Sequence, residues 1–161
     1  MEETSLPLNT SFGSIREAEL SDAEEILRMV ERMAAHHDDT STLQAGTLAR
    51  DVFSDNPWVH LLVAEAESRL AGYAALCGLA QLQFGVRGFD VHHLFTEAGF
   101  RRRGAGTNLV RASIHKSKSL SCKYLSVGTH PDNLEAQAFY ASLGFKRREA
   151  FPPRFVIRLE E

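Results

Sequence analysis

Arg101-Arg102-Arg103-Gly104-Ala105-Gly106 follows an apolar stretch, Phe89 to Thr96, and leads into an amphipathic one, Thr107 to Lys118, with Leu109, Val110 and Ile114 on its apolar side. The segment reads as strand, glycine turn, helix. Glycines lack Cβ and tolerate positive φ, so successive backbone N–H groups can converge on one point, where the helix N-terminus adds partial positive charge. Such a turn suits a phosphate group, although two glycines also serve ordinary tight turns. Neither the three-glycine dinucleotide pattern nor the Lys-Ser/Thr pair of a P-loop is present.

Upstream, residues 1 to 13 read as a loose arm and Ser14 to Ala18 as a short strand. Ser21-Asp22-Ala23-Glu24 has capping-box spacing, opening a helix that carries Ile26, Leu27, Val30 and Ala34 on one face and ends near His36. A second helix is expected from about Leu43 to Phe53, stopped by Asp55-Asn56-Pro57. Trp58 to Ala66 and Leu70 to Gln83 then read as a hairpin joined at Glu67-Ser68-Arg69, and Gly85 to Gly88 turns the chain into the strand Phe89 to Thr96. Downstream come a strand, Lys123 to Val127, and a helix opened by Asp132-Asn133-Leu134-Glu135 that runs to Leu143. Gly144-Phe145 ends that helix, and a terminal strand is expected at Arg154 to Leu159. Asn133 and Tyr140, seven residues apart, share a helix face at roughly 10.5 Å.

The chain has 161 residues, 43% of them hydrophobic and 24% charged, enough for one ordinary globular core. Two cysteines, Cys77 and Cys122, exclude a disulfide scaffold and a four-cysteine zinc module, and fit a reducing cytosol. With an acidic N-terminus and no apolar run long enough for a membrane span, neither a signal peptide nor an anchor is expected, and the localisation expected is cytoplasmic. A net charge of −3 argues against a general nucleic-acid binder. Charge is unevenly spread: residues 1 to 40 carry 10 acids and 3 arginines, whereas residues 101 to 123 carry 7 bases and no acid. Those bases form either a solvated helix face or a site for a small polyanion.

Two segments together resemble the GCN5-related N-acetyltransferase (GNAT) superfamily. The first is Arg101-x-x-Gly104-x-Gly106 after a strand ending Leu94-Phe95-Thr96; the second is Asn133-x-x-Ala136-x-x-Phe139-Tyr140-x-x-Leu143-Gly144-Phe145. Within that superfamily, Asn56-Pro57-Trp58-Val59-His60-Leu61-Leu62-Val63-Ala64-Glu65 looks like the diamine (spermidine/spermine) acetyltransferase branch. The resemblance implies an α/β fold: a mixed central sheet of about six to seven strands, the fourth and fifth splayed, flanked by about four helices. Residues 14 to 161 would form one N-acetyltransferase domain behind the arm.

The resemblance further implies acetyl-coenzyme A as co-substrate, lying where the strands Phe89 to Thr96 and Lys123 to Val127 part. Leu94, Phe95 and Thr96 would give main-chain contacts to its pantetheine, and N–H groups of Arg101, Arg102, Arg103, Gly104, Ala105, Gly106 and Thr107 would cradle its diphosphate. Asn133 would contact the cofactor arm, and Tyr140 would protonate the departing thiolate. Homodimers are frequent among relatives, so one is expected.

Acetyl transfer to an amine needs a neutral nitrogen and hence a base. Where many relatives carry Glu-Asp, this chain has His92-His93, whose ordinary pKa suits general-base work at neutral pH. His92 is the base candidate and His93 a substrate contact; adjacent strand residues face opposite sides unless a bulge intervenes. Asp90, on the face of His92 by alternation, is the reserve base and, with His93, a substrate contact. Losing two carboxylates makes a polyamine a poorer fit, leaving a small primary amine, polyamine-like or amino-acid-like, as acceptor. A metal site is not expected, because His36-His37 and His92-His93 lack zinc-ligand spacing. The competing readings are a catalytically silent acyl-coenzyme A binding module and an acetyltransferase acting on a protein amine.

Overall fold

The hairpin at the centre of the sheet forms because two β-branched and aliphatic runs meet across a two-residue connection. β3 (Val59–Ala66) and β4 (Arg69–Gln81) pair antiparallel, closing at Ala66↔Arg69. Glu67 and Ser68 both take positive φ, 54° and 60°, the backbone that twists with the flanking strands. The computed structural model describes residues 5–149 and 153–159, which fall into two compact units divided after Gly128.

In the first unit the described residues form a six-stranded mixed sheet in the order β1 (Leu8–Asn9), β2 (Ser14–Glu17), β3, β4, β5 (Val86–Thr96), β6 (Tyr124–Val127). All neighbours are antiparallel except β5 and β6. Helices α1 (Ala23–His36) and α2 (Ala45–Val52) place Ile26, Met29 and Leu48 against Leu61, Val63, Tyr73 and Phe95 on one side of the sheet. Helix α3 (Ala105–Ser119) places Leu109 and Ala112 against Leu62, Leu76, Phe89 and Val91 on the other. Alternation along the strands thus serves two apolar layers, and the α/β class is as the sequence implies.

Four local expectations need correction. Leu8 and Asn9, within the expected loose arm, pair with Ile15 and Ser14 at the sheet edge. The capping contact sits earlier than Ser21: Asp22 accepts from Glu19 N at 2.8 Å within a 3-10 turn, Leu20–Asp22. Asp22 is held there by Arg16, whose guanidinium bonds both of its oxygens at 2.8 and 3.0 Å and reaches Glu65 at 2.9 Å. That cation keeps the Asp22 carboxyl below the usual carboxylate range. Only Gly85 of the expected Gly85–Gly88 turn is left-handed; Gly88 is extended in β5, paired with Tyr124, whose ring covers it. In the second unit, the described residues 153–159 form no strand, and Phe155, Val156, Ile157 and Leu159 remain exposed. β-Propensity does not make a strand without a paired edge.

Gly72 fixes how closely β4 and β5 approach at their site end, since a Cβ there would lie 2.3 Å from the Phe95 carbonyl oxygen. That neighbour is backbone, so no side-chain rotation relieves the clash. Gly72→Ala should cost about 1–3 kcal/mol, as overpacking does, read as a lowered midpoint in urea denaturation. A midpoint equal to wild type would show that the strands move apart freely.

Candidate active site

β5 is paired on both edges only as far as Val91. Its parallel register with β6 runs from Gly88↔Tyr124 to Val91↔Val127 and stops, whereas pairing with β4 continues to Gly72↔Thr96. From His92 to Thr96 one edge of β5 therefore has no partner strand among the described residues. Apart from the Thr96 carbonyl, which accepts from Arg101 Nε at 3.3 Å, that edge can take an extended ligand, as in strand addition.

Beyond Thr96 the chain makes a 3-10 turn, Ala98–Phe100, passes Arg102 at φ 59° and reaches Gly104 at φ 94°. Gly104 is the N-cap of α3 and has no capping side chain; the first intrahelical bond runs from Asn108 N to its carbonyl at 3.0 Å. The helix begins at Ala105, two residues before the expected Thr107, because Gly104 can adopt this left-handed geometry. Ala105, Gly106 and Thr107 consequently have no acceptor within the helix for their N–H groups, at its positive end. The neighbouring cations are partly engaged elsewhere. Arg103 bonds Glu67 at 2.9 Å and stacks over Phe100 at 4.9 Å, Arg101 donates to the Thr96 carbonyl at 3.3 Å, and Lys116 pairs with Glu17.

A register shift between Ala75 and Leu76 leaves His92 unopposed: Leu76 pairs with Val91 and Ala75 with His93. This bulge reverses the expected alternation. Phe89 and Val91 pack on the α3 side and Phe95 on the α1/α2 side, so Asp90 and His93 share the α1/α2 face, where unbroken alternation would separate them. The His92 ring nevertheless stacks on His93, centroids 4.2 Å apart and planes 15° from parallel. The bulge thus brings both imidazoles together, the condition under which they can share one task.

His92 is exposed; His93 is half-buried, with Nδ1 3.1 Å from the hydroxyl of Tyr73, which is fully buried. Burial, with the nearby His92 and His37, pushes the His93 pKa down to about 4, so the ring is neutral at pH 7. Burial pushes the Tyr73 phenol up, keeping its proton. Asp90 accepts from Ser126 Oγ at 2.7 Å. Tyr73 and Ser126 are site neighbours that the sequence reading lacks, because only strand register brings them to His93 and Asp90.

In the second unit, helix α4 (Leu134–Ser142) is capped by Asn133, whose side-chain oxygen accepts from Ala136 N at 3.0 Å. Capping engages that oxygen and leaves the amide N–H2 for other contacts. The helix ends as Gly144-Phe145 implies: Gly144 N reaches the Ala141 carbonyl and Phe145 N the Tyr140 carbonyl, both at 3.1 Å. Phe145 packs edge-on against Tyr140 at 5.5 Å. Burial raises the Tyr140 pKa, so its hydroxyl keeps a proton to donate. Among the described residues no group of three His, Cys, Asp or Glu is placed to hold a metal, and no helix is long and apolar enough to cross a membrane.

The depressed His93 makes stability depend on acid. Between about pH 6.5 and pH 4 the unfolded chain binds a proton that folded His93 refuses, so stability falls as pH falls through that window. His60, also lowered by burial, acts in the same direction. Thermal melts should show a midpoint declining from pH 7 to pH 4.5, with a shallower decline in His93→Gln. An equal decline in His93→Gln would assign the effect elsewhere.

The profile of the Acetyltransferase (GNAT) family matches residues 22–145. A thialysine N-epsilon-acetyltransferase of Bos taurus is 24% identical over 143 residues, 83% of this chain and 84% of that protein. Among solved structures, an aminoglycoside acetyltransferase from an uncultured soil metagenomic sample superposes with TM-score 0.76 at 16% identity, covering 89% of this chain and 95% of its own. The ribosomal-protein-alanine N-acetyltransferase of Brucella melitensis biovar Abortus 2308 gives 0.67 at 19%, covering 90% and 99%. An open β5 edge leads into a helix start without a capping side chain, and the family profile spans residues 22–145, so this chain belongs to the Acetyltransferase (GNAT) family.

Proposed function

We propose that the protein transfers the acetyl group of acetyl-coenzyme A to a primary amine of a small molecule by direct attack in a ternary complex. The observation that carries this reading is the unpaired edge of β5 ending at the left-handed Gly104 and the N-terminus of a 15-residue helix. Pantetheine amides would bond the main chain of Leu94, Phe95 and Thr96 as an added strand. The diphosphate would take the N–H groups from Arg101 to Thr107, and Asn133 would meet the cofactor arm through its free amide N–H2.

In the reaction the amine nitrogen attacks the thioester carbonyl, a C–N bond forms, the C–S bond breaks and the sulfur leaves as thiolate. His92 accepts the proton lost by the amine, directly or through water. Tyr140, matched by its motif and still protonated because burial raises its pKa, returns a proton to sulfur. The thialysine acetyltransferase relative, named for an amino-acid-like amine, favours an amino-acid-like acceptor here. The imidazoles at His92 and His93 agree with an acceptor less cationic than a polyamine, because paired carboxylates are missing there.

Coenzyme A release measured across a panel of amines tests the reading. Tyr140→Phe should lower kcat by about 10²–10⁴-fold, the usual scale for removing a general acid, with acetyl-coenzyme A affinity nearly unchanged. Tight binding without turnover for any amine would instead make the protein a silent acyl-coenzyme A binding module. Replacing Gly104 with Val forces a branched residue to φ 94°, and calorimetry should show acetyl-coenzyme A binding weakened by about tenfold or more. Unchanged affinity would detach the glycine turn from the diphosphate. His92→Ala should remove the acid limb of the pH–rate profile; an unaltered limb would exclude His92 as the base.

A further inference from the structure

Tyr73 is among the largest fully buried side chains of the sheet, on the α1/α2 side, yet its one polar atom is directed at the bulge in β5. The hydroxyl meets Nδ1 of His93 at 3.1 Å, and among the described residues no other hydrogen-bond partner is recorded for it. Its ring also packs on Phe95 at 5.9 Å and on His93 at 6.0 Å, so neither the phenol nor the imidazole is free to turn away.

We propose that Tyr73 is a positioning residue: its hydroxyl donates to Nδ1 of His93, holds that imidazole as the Nε2–H tautomer, and so leaves proton acceptance to the stacked His92. This rests on the reading of His92 as base. A neutral imidazole carries one proton on one of two nitrogens. If Nδ1 carried it, the buried phenol proton would face another donor and have no acceptor, and leaving a buried donor unpaired is the costlier arrangement. With Tyr73 donating, Nδ1 is occupied as an acceptor and Nε2 already bears hydrogen. His93 then has no open lone pair for a substrate proton and stands as a fixed N–H donor.

The charges around His93 act in the same sense. His92 beside it on β5 and His37 just beyond the end of α1 both oppose a proton on His93, and Tyr73 from β4 remains a neutral phenol. Asp90, on the same face beyond the bulge, is engaged by Ser126. These neighbours keep His93 neutral within the stacked pair.

Long-range ¹H–¹⁵N spectra of the histidine rings test the assignment without acetyl transfer. In the wild-type protein His93 should show the Nε2–H pattern and no titration above about pH 5. Tyr73→Phe, which removes only the oxygen, should mix in the Nδ1–H tautomer and raise the His93 midpoint by about one pH unit. A wild-type His93 in the Nδ1–H form, or titrating at its ordinary pKa, overturns the proposal, as does a Tyr73→Phe spectrum that matches wild type. The wild-type spectrum alone decides if the variant fails to fold. An unaltered pH–rate limb in His92→Ala beside the Nε2–H pattern would remove the base reading and leave the tautomer lock standing.

Discussion

The site depends on an unequal pairing of β5. One edge stays bonded to β4 down to Gly72↔Thr96, while the other loses β6 after Val91↔Val127. A strand held along one edge is rigid enough to present main-chain donors and acceptors in fixed order, and open enough to accept an extended chain on the other. The close approach of Gly72 to the Phe95 carbonyl maintains the held side. The bulge at His92 lies where the strands begin to part, so the same irregularity that changes pairing also gathers two imidazoles.

What could be read from the sequence was local. Gly104, Gly144 and the connection Glu67-Ser68 act through the backbone conformations of a few consecutive residues, so their positions mark a helix start, a helix stop and a hairpin directly. What could not be read depends on register. Tyr73 meets His93 across 20 residues and Asp90 meets Ser126 across 36. A one-residue slip in either pairing would send those side chains to opposite faces. Simple alternation would likewise put Asp90 and His93 on opposite faces; the bulge adds one residue and brings them to the same one. The short pairing of Leu8–Asn9 with β2 was equally out of reach, since two residues carry no periodic signal.

The carboxylate pair that many relatives place on this strand and the imidazole pair found here solve different electrostatic problems. Two carboxylates hold a cation well. Two stacked imidazoles, one of them neutral and bonded to a buried phenol, can carry at most a single proton near neutral pH. A pair of acids would repel a carboxylate brought beside it, and the neutral His93 ring would not.

The basic stretch after β5 contributes less free charge than its composition implies. Arg103 is paired with Glu67 and stacked on Phe100, Arg101 is turned back onto the Thr96 carbonyl, and Lys116 is paired with Glu17. The two arginine contacts brace the loop between β5 and α3, and the Lys116 pair ties the far end of α3 to β2. Recognition of a diphosphate would then rest chiefly on backbone N–H groups at the helix start, which are fixed by the fold and lose no side-chain freedom on binding. Exposed arginines would add a smaller attraction that salt screens. An arginine can therefore matter at this site through the shape it gives the turn, because the helix starts at Ala105, with its first N–H groups unbonded within the helix, only while that turn keeps Gly104 left-handed.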